Sequence, residues 1–187
     1  MDFTKIKAAA VSLDIDDTRL VKEITEIPNC KWTLTNYDRL GSYPWKTIWL
    51  RINDRENFKD FKSAKSIPHS EWYWDQSLEI PYLKSIVENL PIKTIGMVRA
   101  FFLTGSIAMH VDSNNTTPVD LTYNIGLTLA PNLEIPMSYE NIKIKEKYII
   151  FNDSFPHGFP YATKEQISIR IFGDIEYSKL KITNFYQ

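Results

Sequence analysis

The alternation of apolar and polar positions divides the chain into two parts, which meet close to residue 93. In the first part, residues 14–27 and 81–90 carry apolar side chains at the three- and four-residue spacing of amphipathic helices. Asp14 or Asp16 can cap the first of these helices. In the second part the spacing changes to two, which is typical of strands. The pattern therefore predicts a few N-terminal helices followed by a β-rich region.

The β-rich region predicts a series of short strands with turns between them and little helix. The strands are placed near residues 96–104, 106–111, 121–129, 133–137, 141–145, 147–152, 166–173 and 178–184. This arrangement is typical of a jelly roll or barrel, and it favours a double-stranded β-helix. We therefore predict one mainly β, cupin-like domain over residues 1–187, with a flank of helices and strands at 1–92 and a β-helix core at 93–175.

The flank contains an aromatic segment between a predicted strand at 45–53 and the second helix. A polar loop at about 54–77 carries Trp72, Tyr73 and Trp74. So many aromatic side chains indicate that the loop folds over something, because large apolar surfaces are seldom left in water. The loop can cover a substrate or pack against the barrel, and the sequence leaves both alternatives open.

Composition excludes several classes of protein. The net charge of −1 gives no reason to expect a nucleic acid or an anionic membrane as partner, and no apolar run is long enough to span a membrane. The single cysteine, Cys30, excludes a disulfide framework and favours a reduced, cytoplasmic compartment. The N-terminus lacks the apolar core of a signal peptide.

The candidate chemistry lies in the β-rich region. His110 and Asp112 are two residues apart at the end of a predicted strand, so their side chains point to the same face. If the chain folds back so that His157 reaches that face, two histidines and one carboxylate meet on one side of a metal, as in non-haem Fe(II) oxygenases. The pair alone is weak evidence, because 23 of the 187 residues are acidic. The alternative is a strand-end histidine hydrogen-bonded to a nearby carboxylate.

A second candidate is the arginine in the apolar segment ISIRIF. Arg170 shares one face of the predicted strand with Ser168 and Phe172, and isoleucines occupy the other face. We expect one of the two faces to point outward. An inward Arg170 needs an anion, which a dicarboxylate cosubstrate would supply through a bidentate pair, with Ser168 as a further donor. The alternative is a surface strand with Arg170 in solvent.

Two other functions are compatible with parts of the sequence. The segment LDIDDTRL matches the first motif of haloacid-dehalogenase-type phosphatases, with Asp14 as nucleophile and Asp16 as acid and base. That fold requires helices between parallel strands, and the pattern after residue 105 predicts none. The second alternative is a non-catalytic, cupin-like module that binds a small carboxylate. The presence of three candidate metal ligands and the arginine argues against it.

Several segments together resemble one known family. They are IPYLKSIVENLP, MVRAFFLTGSIAMHVD and IIFNDSFPHGFPYAT, preceded by DDTRLVKEI, CKWTLTNYDRLGSYPW and IWLRI. In order and spacing they resemble the aspartyl/asparaginyl β-hydroxylase family of Fe(II)/2-oxoglutarate-dependent oxygenases, especially its small members related to proline hydroxylases. The resemblance extends from about residue 13 to residue 175.

The resemblance implies an oxygenase that hydroxylates a C–H bond of an amino acid, a peptidyl residue or a related small molecule, with succinate and CO2 as coproducts. It implies Fe(II) at His110, Asp112 and His157, which are then the metal-binding and catalytic residues. 2-Oxoglutarate would chelate the iron and place its far carboxylate on Arg170, and O2 would take the remaining position.

Two departures from the family pattern concern the cosubstrate and the substrate. The family arginine usually follows the distal histidine by fewer residues than Arg170 does. Many relatives also carry Arg and His at the positions of Thr122 and Asn124. We assign Asn124 and Ser168 to the cosubstrate site together with Arg170.

Candidates for substrate contacts are Arg99 and the two loop tryptophans, Trp72 and Trp74. Arg99 can bind a substrate carboxylate, or it can pair with an acid on the outside of the barrel. His69 precedes the tryptophans without a partner at ligand spacing, so we treat it as a surface residue.

Overall fold

Strands are the main elements of the structure, a computed structural model. It describes residues 6–35, 45–55, 61–112, 121–128, 137–139 and 142–186, and only the backbone of residues 35, 61–62, 104–106, 121–128, 137–139 and 160–164. The strands are β1 (Ala8–Val11), β2 (Thr33–Thr35), β3 (Trp45–Trp49), β4 (Arg51–Ile52), β5 (Tyr73–Trp74), β6 (Ile92–His110), β7 (Leu121–Thr128), β8 (Met137–Tyr139), β9 (Ile142–Ile144), β10 (Tyr148–Asn152), β11 (His157–Ile175) and β12 (Ile182–Tyr186). The helices are α1 (Asp17–Thr25), α2 (Phe61–Ala64) and α3 (Pro81–Asn89), with 3-10 turns at Asn29–Lys31, His69–Glu71 and Tyr177–Lys179.

The two longer helices form where the sequence pattern predicts them. Helix α1 begins after Asp16, whose carboxylate accepts a hydrogen bond from the backbone N–H of Arg19 at 3.1 Å. Helix α3 begins at Pro81, a residue that suits the first turn because its nitrogen has no hydrogen to leave unpaired. Neither helix exceeds nine residues, so within the described ranges no helix could cross a membrane.

One face of the central sheet is covered by α1 and α3. The two helices and alternate positions of β6 and β11 share one cluster of buried apolar side chains: Leu20, Ile24, Leu83, Val87, Val98, Ala100, Ile167, Ile169 and Ile171. Full burial of one large aliphatic side chain stabilises the fold by about 1.5–3 kcal/mol. The opposite face carries Arg99, Phe101, Ser168 and Arg170, none more than 7% exposed. Our expectation that one face of this strand points outward is therefore wrong, because the helices shield the isoleucines.

The sheet is built around its two longest strands. β6 and β11 have 19 residues each and pair along their whole length, from His110 opposite His157 to Ile92 opposite Ile175. The order of strands is β12-β1-β10-β7-β11-β6-β3-β2, and β8 pairs with β9 and with the start of β11. Register shifts between His157 and Gln166 mark the stretch where β11 lies beside β8 instead of β7. β4 and β5 form a separate pair.

Two predicted strands merge and one lengthens. The strands predicted at 96–104 and 106–111 are the single strand β6, and the strand predicted at 166–173 begins earlier, at His157. The spacing of apolar residues shows which positions are buried, but a bulged strand changes this spacing without ending the pairing. The two long strands that result carry both candidate histidines, His110 on β6 and His157 on β11.

Other boundaries also differ from the prediction. The strand predicted at 45–53 is divided at Leu50 into β3 and β4. The strand predicted at 178–184 begins only at Ile182, after a 3-10 turn. The strand predicted at 133–137 lies outside the described residues except for its last position.

The sheet excludes the phosphatase alternative. Every strand pair in the described part of the chain is antiparallel. A phosphatase of the haloacid-dehalogenase type needs a parallel sheet with helices between its strands. Asp14 precedes α1 and Asp16 is its N-cap, so the segment LDIDDTRL serves as a helix start.

The aromatic loop is attached to β6 by Arg51. Its guanidinium donates hydrogen bonds to the carbonyl oxygens of Ile95 and Gly96 on β6 and of Trp72 in the loop. Trp72 is 2% exposed and stacks on Trp49 with ring centroids 5.6 Å apart. Of the two alternatives for this loop, packing against the barrel is therefore the one that the structure shows.

The cysteine lies on the surface. Cys30 is an exposed free thiol in the 3-10 turn Asn29–Lys31. The next residue but one, Trp32, packs against Phe102 of β6 with ring centroids 4.5 Å apart. The turn is therefore fixed to the central sheet while its thiol faces solvent.

Candidate metal and cosubstrate site

The three candidate metal ligands lie together at one end of the β6–β11 pair. His110 ends β6 and His157 begins β11, and the two residues are directly opposite each other. The Asp112 carboxylate reaches both imidazole rings, with Oδ1 3.3 Å from Nε2 of His110 and Oδ2 3.2 Å from Nε2 of His157. One ligand atom of each residue lies within 4.8 Å of those of the other two.

Two backbone carbonyls fix the orientation of the imidazole rings. Nδ1 of His110 lies 2.8 Å from the oxygen of Ala108, and Nδ1 of His157 lies 2.9 Å from the oxygen of Phe155. A carbonyl oxygen only accepts hydrogen bonds, so each Nδ1 carries a proton and donates it. The Nε2 atom of each ring faces the Asp112 carboxylate. It donates a hydrogen bond to that carboxylate while it carries a proton, and it offers a lone pair once a metal ion has displaced the proton.

This arrangement of lone pairs fits a metal ion. Once the Nε2 protons are displaced, two imidazole lone pairs and a carboxylate converge on one point, and a cation among them removes their mutual repulsion. Two nitrogens and one carboxylate on one side are the ligand set of non-haem ferrous iron. The His157 side chain is fully buried, whereas those of His110 and Asp112 are each 15% exposed, so the cluster is open on one side.

Burial and neighbouring charges set the protonation of Asp112 and His157. Burial alone would raise the pKa of Asp112, but hydrogen bonds with the two histidines and the charge of Arg170 outweigh it and hold the pKa below its usual range. Burial lowers the pKa of His157, against the opposing effect of Asp112. Asp112 is therefore ionised and His157 neutral at pH 7, the states in which both residues bind a metal.

The turn between β10 and β11 holds two of these residues through its backbone. The N–H of Asp112 donates to the carbonyl oxygen of Asp153 at 3.1 Å. The carbonyl of Phe155, in the same turn, accepts the Nδ1 proton of His157. The segment FNDSFPH therefore positions two of the candidate ligands in addition to supplying His157 itself.

Arg170, a buried residue of β11, also contacts the Asp112 carboxylate. Its Nη1 donates to Oδ2 of Asp112 at 3.1 Å, and its guanidinium lies 5.6 and 5.2 Å from the ring centroids of Phe101 and Phe151. Arg170 is 7% exposed, so the alternative of an arginine in solvent is excluded. Because Oδ2 of Asp112 also faces His157, a metal ion at this oxygen would compete with Arg170 for it.

An open cavity lies beside these residues, with about 570 Å³ of empty space that includes solvent at its mouth. Among the described residues, its polar lining consists of Arg99, His110, Asp112, Ser168 and Arg170, and the other lining residues are apolar or aromatic. A largely apolar cavity with a few convergent polar groups is the usual form of a small-molecule site.

Arg99 lines this cavity from the position on β6 opposite Arg170. Its Nη2 donates to Oγ1 of Thr47 at 3.2 Å, and its guanidinium lies over the rings of Trp49 and Phe101, 4.2 and 4.9 Å from their centroids. Arg99 is 7% exposed, so the alternative position on the outside of the barrel is excluded.

The two loop tryptophans, which were candidates for substrate contacts, are held by other parts of the fold. Trp72 is buried, and Trp74 donates from Nε1 to Oε1 of Glu88 on α3 at 3.1 Å. Neither residue lines the cavity. Asn124 lies on β7 opposite Arg170, and its backbone alone is described.

His69 is half-buried, which corrects its treatment as a surface residue. Its Nδ1 lies 3.1 Å from Oδ1 of Asp174. Its ring lies so close to Gly96 that a Cβ there would come within 2.5 Å of it. His69 does not line the cavity and lies outside the ligand cluster.

Sequence reasoning missed the aromatic wall of the cavity and the residues behind the ligands. Phe101 and Phe159 line the cavity. Strand alternation could have indicated Phe101, because it shares a face with Arg99. The ion pair between Lys65 and Asp153 joins residues 88 positions apart, a separation that leaves no signal in the sequence.

Several solved oxygenases are similar to this structure. A prolyl-4-hydroxylase from Pseudomonas putida has a TM-score of 0.52 and 11% identity, over 94% of this chain and 96% of its own. A 2OG-Fe(II) oxygenase family oxidoreductase from Burkholderia pseudomallei has a TM-score of 0.53 and 11% identity, over 85% and 81%. A prolyl hydroxylase from Trichoplax adhaerens, in complex with a peptide fragment of hypoxia inducible factor, has a TM-score of 0.56 and 13% identity, over 95% and 87%.

These similarities confirm the predicted fold class. The chain is mainly β and has the double-stranded β-helix fold of these oxygenases. At identities of 11 to 13% the likeness extends to the fold alone. No protein-family model and no curated protein matches the chain.

Proposed function

We propose that this protein is an Fe(II)- and 2-oxoglutarate-dependent oxygenase that hydroxylates a C–H bond of an amino acid, a peptidyl residue or a related small molecule. The observation that carries the proposal is the convergence of two imidazoles and the Asp112 carboxylate within 4.8 Å, beside a cavity that also contains the buried Arg170. The fold supports the proposal, because solved oxygenases share it.

His110, Asp112 and His157 would hold the iron. Three ligands on one side of the ion leave positions open for the cosubstrate and for oxygen. Bound iron supplies oxygen activation coupled to the oxidative decarboxylation of 2-oxoglutarate, with succinate and CO2 as coproducts. The hydrogen bonds from Nδ1 to the carbonyl oxygens of Ala108 and Phe155 keep one proton of each ring on Nδ1, which leaves Nε2 as the ligand atom and aims both Nε2 atoms at one point.

Arg170 would bind the far carboxylate of 2-oxoglutarate. Its guanidinium offers a planar fork of N–H donors that matches a carboxylate. A cation bound to Asp112 neutralises that carboxylate, which weakens its contact with Arg170 and makes the guanidinium available to the cosubstrate. Ser168, on the same face and 1% exposed, is a second donor. We retain Asn124, opposite Arg170 on β7, as a further candidate.

Arg99 would bind an acidic group of the substrate. Its guanidinium is held at the cavity wall by Trp49 and Phe101, which leaves it oriented before a ligand arrives. This contact favours a free amino acid or another small carboxylate. Such a substrate agrees with the proposed relationship to the proline-hydroxylase-related members of the aspartyl/asparaginyl β-hydroxylase family. A peptidyl residue stays among the candidates, since one similar structure contains a peptide fragment.

Succinate formation tests the proposal. With Fe(II), 2-oxoglutarate and O2, the protein should form succinate slowly even without a substrate. Asp112→Ala should abolish succinate formation, because the cluster loses its anionic ligand. Asp174→Ala is the matched control, since Asp174 is an exposed aspartate on β11 outside the cavity.

Two other results would favour different conclusions. Binding of 2-oxoglutarate without oxygen consumption or succinate would establish the non-catalytic carboxylate-binding module. If the wild-type protein binds neither Fe(II) nor Co(II), the oxygenase proposal is wrong.

A further inference from the structure

A buried ion pair lies behind the proposed metal centre. Nζ of Lys65 donates a hydrogen bond to the carboxylate of Asp153, and the two side chains are only 9% and 2% exposed. Lys65 follows α2 and Asp153 follows β10, so the pair connects the N-terminal flank to the β-rich core. Buried charges contribute little net stability, because the cost of removing them from water offsets their attraction. Stability alone therefore does not account for the pair.

The backbone of the turn connects this ion pair to two of the proposed ligands. The carbonyl oxygen of Asp153 accepts the N–H of Asp112 at 3.1 Å. The carbonyl of Phe155 accepts the Nδ1 proton of His157 at 2.9 Å. A displacement of the turn would therefore move Asp112 and rotate the ring of His157 together.

Two contacts attach this turn to the N-terminal part of the chain. At its start, the N–H of Asn152 donates to the carbonyl oxygen of Lys7 at 2.8 Å. One residue later, the Asp153 carboxylate binds Lys65. A bond within the turn, from the N–H of Ser154 to Oδ1 of Asn152 at 3.0 Å, shapes it locally. The ion pair is the attachment at the residue whose carbonyl binds Asp112.

We propose that the ion pair between Lys65 and Asp153 is a positioning element of the metal centre, which keeps Asp112 and His157 in ligand geometry through the backbone of the turn. Neither Lys65 nor Asp153 lines the cavity, so neither would contact a substrate bound there. This inference rests on the proposed function, because it requires a bound metal.

Lys65→Met is the decisive variant. It removes the ammonium group but keeps an unbranched side chain of similar length. The buried Asp153 carboxylate then lacks its cation, and the turn must rearrange to solvate or protonate it. Co(II) is the probe, because its visible absorption reports both affinity and coordination geometry. We expect the Kd for Co(II) to rise about 10- to 100-fold, the range found when groups that orient metal ligands are removed, together with a changed absorption spectrum.

The double variant Lys65→Met/Asp153→Asn separates positioning from general damage. It removes both charges and leaves an amide of the same shape as the carboxylate, so no buried charge is unpaired but the positioning contact is still missing. We therefore expect its Kd for Co(II) to lie between that of Lys65→Met and that of the wild type. It also serves as the test if Lys65→Met alone does not fold. In that case, its Kd should lie above that of the wild type. Lys147→Met is the matched control, because it removes a more exposed lysine that pairs with Asp17 at 2.6 Å. Its Co(II) affinity should equal that of the wild type.

The possible results distinguish this inference from the proposed function. If the wild type binds no Co(II), both are wrong. If the wild type binds Co(II) and a folded Lys65→Met binds it equally tightly with the same spectrum, only the positioning role is wrong, even when its Tm is lower. If only the double variant folds, Co(II) affinity equal to that of the wild type leads to the same conclusion.

Discussion

Arg99 and Arg170 lie directly opposite each other on β6 and β11, and both line the same cavity. Like charges in such a cross-strand pair repel each other, and nearby anions reduce this cost. Asp112 supplies one anion, since its Oδ2 accepts a hydrogen bond from Nη1 of Arg170 at 3.1 Å. The cavity is therefore suited to negatively charged ligands, and the two arginines should have separable roles.

Replacement of Arg170 should weaken binding of the cosubstrate but not binding of the metal. Arg170→Gln removes the charge that would pair with the far carboxylate, so the KM for 2-oxoglutarate should rise about 10- to 100-fold, as for loss of a charge-assisted hydrogen bond. The same change releases Oδ2 of Asp112, so the affinity for Co(II) should not fall. Succinate formation at varied 2-oxoglutarate, with a parallel Co(II) titration, measures both. An unchanged KM would show that the cosubstrate carboxylate binds elsewhere.

Replacement of Arg99 should weaken binding of an acidic substrate. Arg99→Gln should raise the KM for an acidic substrate about 10- to 100-fold and change the KM for 2-oxoglutarate much less. The measurement is stimulation of succinate formation by a panel of free amino acids and small carboxylates. Arg55→Gln is the control, because Arg55 is an exposed arginine paired with Glu71 at 2.8 Å. Equal stimulation in the wild type and Arg99→Gln would rule out this role of Arg99.

Gly158 allows β11 to approach β6 beside the ligands. A Cβ at this position would lie 2.7 Å from the carbonyl oxygen of Ile107, three residues before His110. Gly158→Ala should therefore separate the strands at the proposed metal centre. Overpacking of this kind costs about 1–3 kcal/mol of stability, and we expect the Kd for Co(II) to rise about 10-fold or more.

Gly173→Ala is the control for this prediction. A Cβ there would lie 2.5 Å from the carbonyl oxygen of Thr94, at the opposite end of the same strand pair. The two variants should lower the free energy of unfolding to a similar degree, but only Gly158→Ala should weaken Co(II) binding. Equal loss of affinity in both would indicate that the effect is one of general stability.

Tyr186 should make stability depend on alkaline pH. Burial and the hydrogen bond that its hydroxyl donates to Glu146 at 2.5 Å raise the pKa of Tyr186 from 10.0 to about 12. A group whose pKa is raised on folding stabilises the folded state below the unfolded value, and this contribution is lost as the pH rises through the folded value. The free energy of unfolding in urea should therefore fall between pH 10 and about 12. In Tyr186→Phe this part of the decrease should be absent, and identical pH dependence would contradict the assignment.

Helices α1 and α3 and the faces of the strands could be predicted because they depend on spacing within one segment, whereas α2 lies in the segment predicted as a loop. Leu20 and Ile24 are fully buried on α1, and Ile169 is fully buried on β11, as their periodicity indicates. The burial of both faces of β11 could not be predicted from the strand itself. It depends on where the helices pack, which is a property of the whole chain.

Only the part of the site that lies within one short segment could be predicted from the sequence. The spacing of His110 and Asp112 shows that they share a face, but the approach of His157 depends on the register of two 19-residue strands. The prediction for Trp72 had no such basis in spacing, because only the aromatic composition of its loop suggested a contact with a ligand. Its burial results from the carbonyl contacts of Arg51 and from stacking on Trp49, which are separated from it by more than twenty residues.

The exposed Cys30 makes the wild-type chain suitable for site-directed spin labelling. It is the one thiol in the sequence, so a nitroxide would react at one place without any substitution. The label would sit beside Trp32, which packs on β6, the strand that ends at His110. With paramagnetic Cu(II) at the histidine–carboxylate cluster, pulsed electron paramagnetic resonance would give a label-to-metal distance. That distance would locate the metal in the native sequence without any assay of turnover.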